Sequence, residues 1–96
     1  MFVILCHDGF NRAVTRKEMR PKHVAYVKES ASIVRCAGPL VSQDGDAMGG
    51  LFILNVDSKA QAENWIKDDP LSKAGVYDRV EVYRWNYLLG SGIALD

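Results

Sequence analysis

The sequence is poor in the features that mark most specialised protein classes. Only two of its 96 residues are cysteine, Cys6 and Cys36, and no C-x-x-C pair is present. A zinc ribbon or a disulfide scaffold is therefore not indicated, and histidine and cysteine are too scattered for a metal site. Both cysteines lie in apolar, strand-like runs, as buried, reduced thiols of a cytoplasmic protein would. A disulfide between them stays open at this point, because separation in sequence does not give distance in space. No apolar run approaches the ~20 residues of a membrane-spanning helix, so no membrane role is expected. The short run from Phe2 to Cys6 has no basic region before it, unlike a secretory signal.

There is no excess of charge of either sign. Lys+Arg is 12 and Asp+Glu is 12, a formal net charge of +0. A chain so balanced lacks the electrostatic footprint of a nucleic-acid binder, and no aromatic stripe interleaves with its basic residues. Arg12, Arg16, Lys17, Arg20 and Lys22 lie close together, but the plainer reading is a solvated loop and helix start. G-x-x-x-x-G-K-S/T, G-x-S-x-G and H-E-x-x-H are all absent, so no cofactor is implied. There are no repeats, linkers or low-complexity stretches. At 48% hydrophobic and 25% charged residues, 1–96 reads as one domain with a tail over 88–96.

The periodicities give an element order. Phe2-Val3-Ile4-Leu5-Cys6 is a strand, closed by a turn at Asp8-Gly9. Thr15-Arg16-Lys17-Glu18 has the form of a capping box. A helix begun there would enclose Pro21, at a cost of about 3 kcal/mol, so the pattern favours a helix from Pro21 to about Val34. Val24, Val27, Ala31 and Val34 form its apolar stripe, with His23 on the flank. Arg35–Val41 reads as a second strand in which Pro39 marks an edge or an end. Ser42–Gly50 reads as a loop and Leu51–Val56 as a third strand. Ser58-Lys59-Ala60-Gln61 caps a second helix that turns Ala62, Trp65 and Ile66 inward and ends near Asp68-Asp69-Pro70. Tyr77–Tyr87 is the last strand.

The order β-α-β-β-α-β is that of an α+β, ferredoxin-like fold: an antiparallel sheet with both helices on one face. Three strands are apolar on both faces. Val3 and Leu5 oppose Phe2, Ile4 and Cys6; Leu51 and Ile53 oppose Phe52, Leu54 and Val56; Val80 and Val82 oppose Tyr83, Trp85 and Tyr87. Helices cover one face only, so a second copy is the economical cover for the other, and a homodimer is expected.

Few residues carry chemistry. An imidazole such as that of His23 can serve as acid or base, although a histidine on a helix flank is more often a core-edge residue. Asp68 and Asp69 sit at a helix C-terminus, against the macrodipole. A carboxylate that orients an imidazole is a common pairing, though spacing does not show that His23 and Asp69 meet. His7, at the end of a strand, either rims a pocket or is a turn residue. Gly38-Pro39 and Gly49-Gly50 allow close backbone approach, for turns or for a ligand.

Taken in order, the apolar first strand, Arg20-Pro21-Lys22-His23, Ala37-Gly38-Pro39, Gly49-Gly50, Trp65, Asp69-Pro70 and Ala74-Gly75-Val76-Tyr77 resemble the YciI-like (YCII-related) family of the dimeric α/β-barrel superfamily. The resemblance runs from Phe2 to about Trp85. It implies sheets packed face to face in a dimer, and a His–Asp pair, His23 with Asp69, in a pocket between helices and sheet. Arg20, Asp68, Tyr77, His7, Gly38 and Pro39 are candidates for substrate contact. One member type is similar to a dehydrochlorinase acting on a chlorinated hydroxyquinol, and superfamily relatives include muconolactone isomerases. Leu71, where an aromatic often follows the proline, departs from the pattern. The expectation is a small cofactor-free enzyme of dehydrochlorinase, isomerase or lyase type, acting on a small polar aromatic or lactone-like substrate. The alternative is a non-catalytic dimer that binds a small ligand.

Overall fold

The computed structural model describes residues 1–91. Its elements run β1 (Phe2–Asp8), α1 (Ala13–Glu29), β2 (Val34–Val41), β3 (Ala47–Leu54), α2 (Lys59–Lys67), α3 (Pro70–Lys73) and β4 (Tyr77–Arg84). The four strands form one antiparallel sheet in the order β2-β3-β1-β4, so the ferredoxin-like α+β architecture holds. Of the expected tail, residues 92–96 lie outside the described residues.

Strand alternation divides the sheet into two unlike faces. Ile4, Cys6, Phe52 and Leu54 point towards the helices and are buried with Ala62, Trp65 and Ile66 of α2. Val3, Leu5 and Leu51 point the other way and remain only half-buried. The Ser58–Gln61 capping box that starts α2 is formed in full: Gln61 N–H donates to Ser58 Oγ at 3.2 Å, and Ser58 N–H donates to Gln61 Oε1 at 3.1 Å.

The first helix corrects the sequence reading. It starts at Ala13, eight residues before Pro21, and carries that proline in its interior. Proline removes one backbone donor and is tolerated where the turns on either side are held by other contacts. Here a clamp holds the far end. Tyr26 stacks on Trp65 with ring centroids 5.1 Å apart, and its hydroxyl donates to the Trp65 carbonyl at 2.6 Å. Trp65 Nε1–H donates in turn to Ser30 Oγ at 2.8 Å. The Thr15–Glu18 box is not used, since Arg12 occupies the N-cap without a side-chain bond. Ala31 and Val34 lie beyond the helix end, Val34 being the first residue of β2. No residue of α1 is fully buried, and the helix meets the core through the half-buried Tyr26 and Val27.

Three further boundaries differ. Gly49 and Gly50 belong to β3, not to a loop. A Cβ on Gly49 would lie 2.1 Å from the Cys6 carbonyl oxygen, so β1 and β3 approach this closely only because the residue is glycine. Pro70, read as a helix terminator, also begins the short helix α3. The last strand ends at Arg84 instead of Tyr87.

Candidate functional site

The gap beneath α1 forms a cleft of about 260 Å³, bounded by α1 on one side and by β2 and β3 on the other. Arg16, Arg20, His23, Val24 and Val27 follow one another at helical spacing and all face it. Phe52 and Gly50 make its floor, and Gly38 and Pro39 its opposite lip. A side chain at Gly50 would press on the Phe52 ring, at 3.0 Å, so the missing Cβ keeps the floor low.

Behind the cleft wall, against His23 and Tyr77, stands Asp69, a fully buried carboxylate. Both of its oxygens are engaged. Oδ1 lies 2.7 Å from His23 Nδ1 and accepts the Leu71 backbone N–H at 3.3 Å. Oδ2 accepts the Tyr77 hydroxyl at 3.0 Å. Local chain geometry puts it there. Asp69 is extended, as a residue before proline must be, and it caps α3. A carboxylate ringed by donors accepts, so Nδ1 of His23 carries the proton and Nε2 is left for a molecule in the cleft. The imidazole also meets the Phe52 ring edge-on, with centroids 5.9 Å apart, which fixes its plane. Burial, then the charge of Asp69, raises the Tyr77 phenol far above its ordinary range and keeps it a neutral donor.

Beside His23 and Asp69 lies a second pair that the sequence reading did not single out, Arg16 in the cleft wall and Asp8 behind it. Arg16 grips Asp8 with two bonds, Nε to Oδ2 at 2.6 Å and Nη2 to Oδ1 at 2.9 Å. Nη2 also donates to the Gly49 carbonyl at 3.1 Å, and the guanidinium lies 6.0 Å from the centre of the Tyr77 ring. The signal for Arg16 is its i, i+4, i+7 spacing with Arg20 and His23, which a helix beginning at Pro21 does not show. Cys6 lies beneath the site. Burial, aided by the charges of Asp69 and Asp8, pushes its thiol up to about 12.

The other candidate residues divide. Arg20 stands exposed at the rim, while Gly38, Pro39 and Tyr77 line the cleft. Asp68 is exposed at the end of α2 and does not line it; Asp69, not Asp68, reaches the histidine. His7 is directed away from the cleft, because it shares the sheet face of Val3 and Leu5. There its Nε2 lies 2.8 Å from Glu81 Oε1. A larger depression of about 550 Å³ between α2 and β4 shares only Tyr77 with the cleft, and no histidine lines it among the described residues. Among the described residues no three His, Cys, Asp or Glu side chains are grouped to hold a metal ion, and no helix is long and apolar enough to cross a membrane.

Comparison with known proteins agrees with the fold. A search of curated proteins found no match to the chain. Among solved structures, the chain is similar to 5-chloro-2-hydroxyhydroquinone dehydrochlorinase from Burkholderia phenoliruptrix, in complex with 2,5-dihydroxybenzoquinone. The TM-score is 0.82 at 24% identity, covering 90% of this chain and 93% of that one. A protein of Arabidopsis thaliana matches with a TM-score of 0.48 at 17% identity, covering 94% of this chain and 96% of that one. The family model of the YCII-related domain matches residues 1–86, and the chain belongs to the YCII-related family.

Proposed function

We propose that this chain is a small, cofactor-free enzyme in which His23 is the acid/base and Asp69 its orienting partner. The observation that carries the reading is the engagement of Asp69: a fully buried carboxylate with three donors aimed at it, one of them an imidazole that faces a cleft. Nε2 takes a proton from an activated C–H or O–H of the substrate. The electron pair of the broken bond moves into the ring or lactone. A leaving group such as chloride then departs, or the proton returns at another carbon. Asp69 stabilises the imidazolium formed on the way, and Tyr77 and Leu71 N–H keep the carboxylate from turning. The cleft takes one ring, which suits a small polar aromatic or lactone-like substrate, and the dehydrochlorinase of similar fold was solved with a dihydroxybenzoquinone.

The test is turnover of chlorinated hydroxyhydroquinones and small lactones, followed by absorbance and chloride release, in wild type and His23→Gln. A loss of about 10²-fold or more in the variant supports the reading. Unchanged turnover in His23→Gln refutes it. Saturable binding with no product across the whole panel favours the ligand-binding alternative.

The working unit in this proposal is a homodimer joined through the sheet face opposite the helices. Val3, Leu5, Leu40 and Leu51 are half-buried there and Tyr83 is exposed, a surface too apolar to face water alone. Sedimentation equilibrium at micromolar concentration should give twice the chain mass, and a clean monomer would refute it.

A further inference from the structure

Among the described residues the charge lining the cleft has one sign: Arg16, Arg20 and Lys28 face it beside His23, and no aspartate or glutamate does. The two acids nearby sit behind the wall with their oxygens already taken: Asp8 by Arg16, and Asp69 by His23, Tyr77 and Leu71 N–H. To an occupant the cleft therefore offers hydrogen-bond donors and the single basic nitrogen of His23. Arg16 is the best placed of the donors. Its Nε and Nη2 are fixed by Asp8 and the Gly49 carbonyl, while no bond to Nη1 is recorded among the described residues. A guanidinium held in this way loses little freedom when it takes a further oxygen. The bond to Asp8 also holds Arg16 more firmly protonated than an ordinary arginine. Below the cations the floor is Phe52 and glycine backbone, an apolar bed that Val27 faces from the helix side.

We propose that the cleft selects a small planar anion, its ring on Phe52 and Val27, its charged oxygen on Arg16 Nη1, and Arg20 guarding the entrance. Arg16 is thus a specificity-determining residue. The proposal deepens the reading of this cleft as the substrate site and rests on it for the position of the ligand, though not for catalysis.

Three probes of one shape and different charge test it: benzoate, benzamide and benzamidine, titrated against the folded protein by amide NMR. Benzoate should shift Gly50 and Phe52 and bind at least tenfold tighter than benzamide, with an affinity that falls as salt rises. Benzamidine should not saturate. Arg20→Gln, at an exposed position that no structural bond depends on, should weaken benzoate and leave benzamide unchanged. Arg16→Gln combined with Asp8→Asn, which avoids stranding the Asp8 charge, should abolish the preference. Equal affinity for benzoate and benzamide overturns the proposal, as does a preference that survives both changes or shifts confined to residues outside the cleft. The enzyme reading fails separately: turnover that survives His23→Gln would sink it and leave the anion preference standing.

Discussion

Replacing Asp69 in two ways separates its charge from its hydrogen bonds. In Asp69→Asn the side chain keeps its shape, and the Leu71 N–H decides which way the amide lies. The carbonyl oxygen must occupy the Oδ1 position, where it accepts from both Leu71 N–H and His23 Nδ1–H. The amide NH2 then meets Tyr77, whose hydroxyl rotates to accept. All three contacts survive, and what is lost is the charge assistance, which roughly doubles the strength of such bonds. The expected loss is about 1 kcal/mol, or about 4–8 °C in Tm for a chain of this size. Asp69→Ala instead strands the Tyr77 hydroxyl and the His23 Nδ1–H in a buried place, at about 1–3 kcal/mol for each group left unpaired. It also removes the cap of α3, for about 1 kcal/mol more. Thermal and urea unfolding followed by circular dichroism give the two stabilities, and the ring-nitrogen NMR shifts of His23 give its tautomer. The asparagine variant should keep the proton on Nδ1, and the alanine variant should let it exchange to Nε2. Turnover should fall by roughly 10²–10⁴-fold in both, since neither carries a charge to stabilise the imidazolium. An alanine variant as stable as the asparagine variant, or an asparagine variant with its proton on Nε2, would refute this account.

Gly49→Ala should fail to fold or lose several kcal/mol, because its Cβ would meet backbone at 2.1 Å; near-native stability in urea would contradict the close approach of β1 and β3. The Cys6 thiol titrates lower when unfolded than in the native protein, where burial holds it at about 12. The native state therefore binds that proton more tightly, and stability should fall as pH rises from about 9 towards 12, a fall that Cys6→Ala removes in alkaline unfolding curves. Glu81 is held below the usual carboxylate range by the Tyr83 hydroxyl and then by His7, so whatever stability it lends is present at neutral pH and lost in acid. Tyr83→Phe should raise the Glu81 titration seen by NMR, and an unmoved titration would show that the hydroxyl is not its main support. Leu51→Glu should yield a folded monomer in sedimentation if the open sheet face joins two copies, and a persisting dimer would place the interface elsewhere.

Strand and helix order could be read from alternation and capping because each rests on a local rule that nothing nearby opposes. The Ser58–Gln61 box and the two-faced pattern of Phe2–Cys6 are of that kind. The start of α1 could not, because the proline penalty is local while the Tyr26–Trp65–Ser30 clamp that holds the helix is tertiary. Gly49 and Gly50 likewise look like a loop until the Cys6 carbonyl is seen to occupy the space of a side chain. In the site, the histidine and the carboxylates were visible as residue types. The resemblance to the family, not spacing, singled out Asp69 over its neighbour. The physical difference is that Pro70 forces Asp69 into the extended backbone that turns its side chain inward, while Asp68 ends α2 facing solvent. The helical spacing of Arg16, Arg20 and His23 marks Arg16 once α1 starts at Ala13, but nothing local pairs it with Asp8, which ends a strand across a turn.

The sheet order also sets a sequence of events during synthesis. The chain emerges with β1 first, yet β1 lies between β3 and β4, so one of its edges stays bare until Tyr77–Arg84 has been made. A nascent chain can pair β2, β3 and β1 and hang α1 above them, and His23 is then in place without Asp69 or Tyr77. At ordinary elongation rates that interval lasts on the order of seconds. Ile4, Cys6 and Phe52 lack the cover of α2 in the first part of it, and the edge of β1 that β4 will pair stays open to a neighbouring chain to its end. The last strand to be made thus completes the site and ends the period in which the chain is most prone to aggregate.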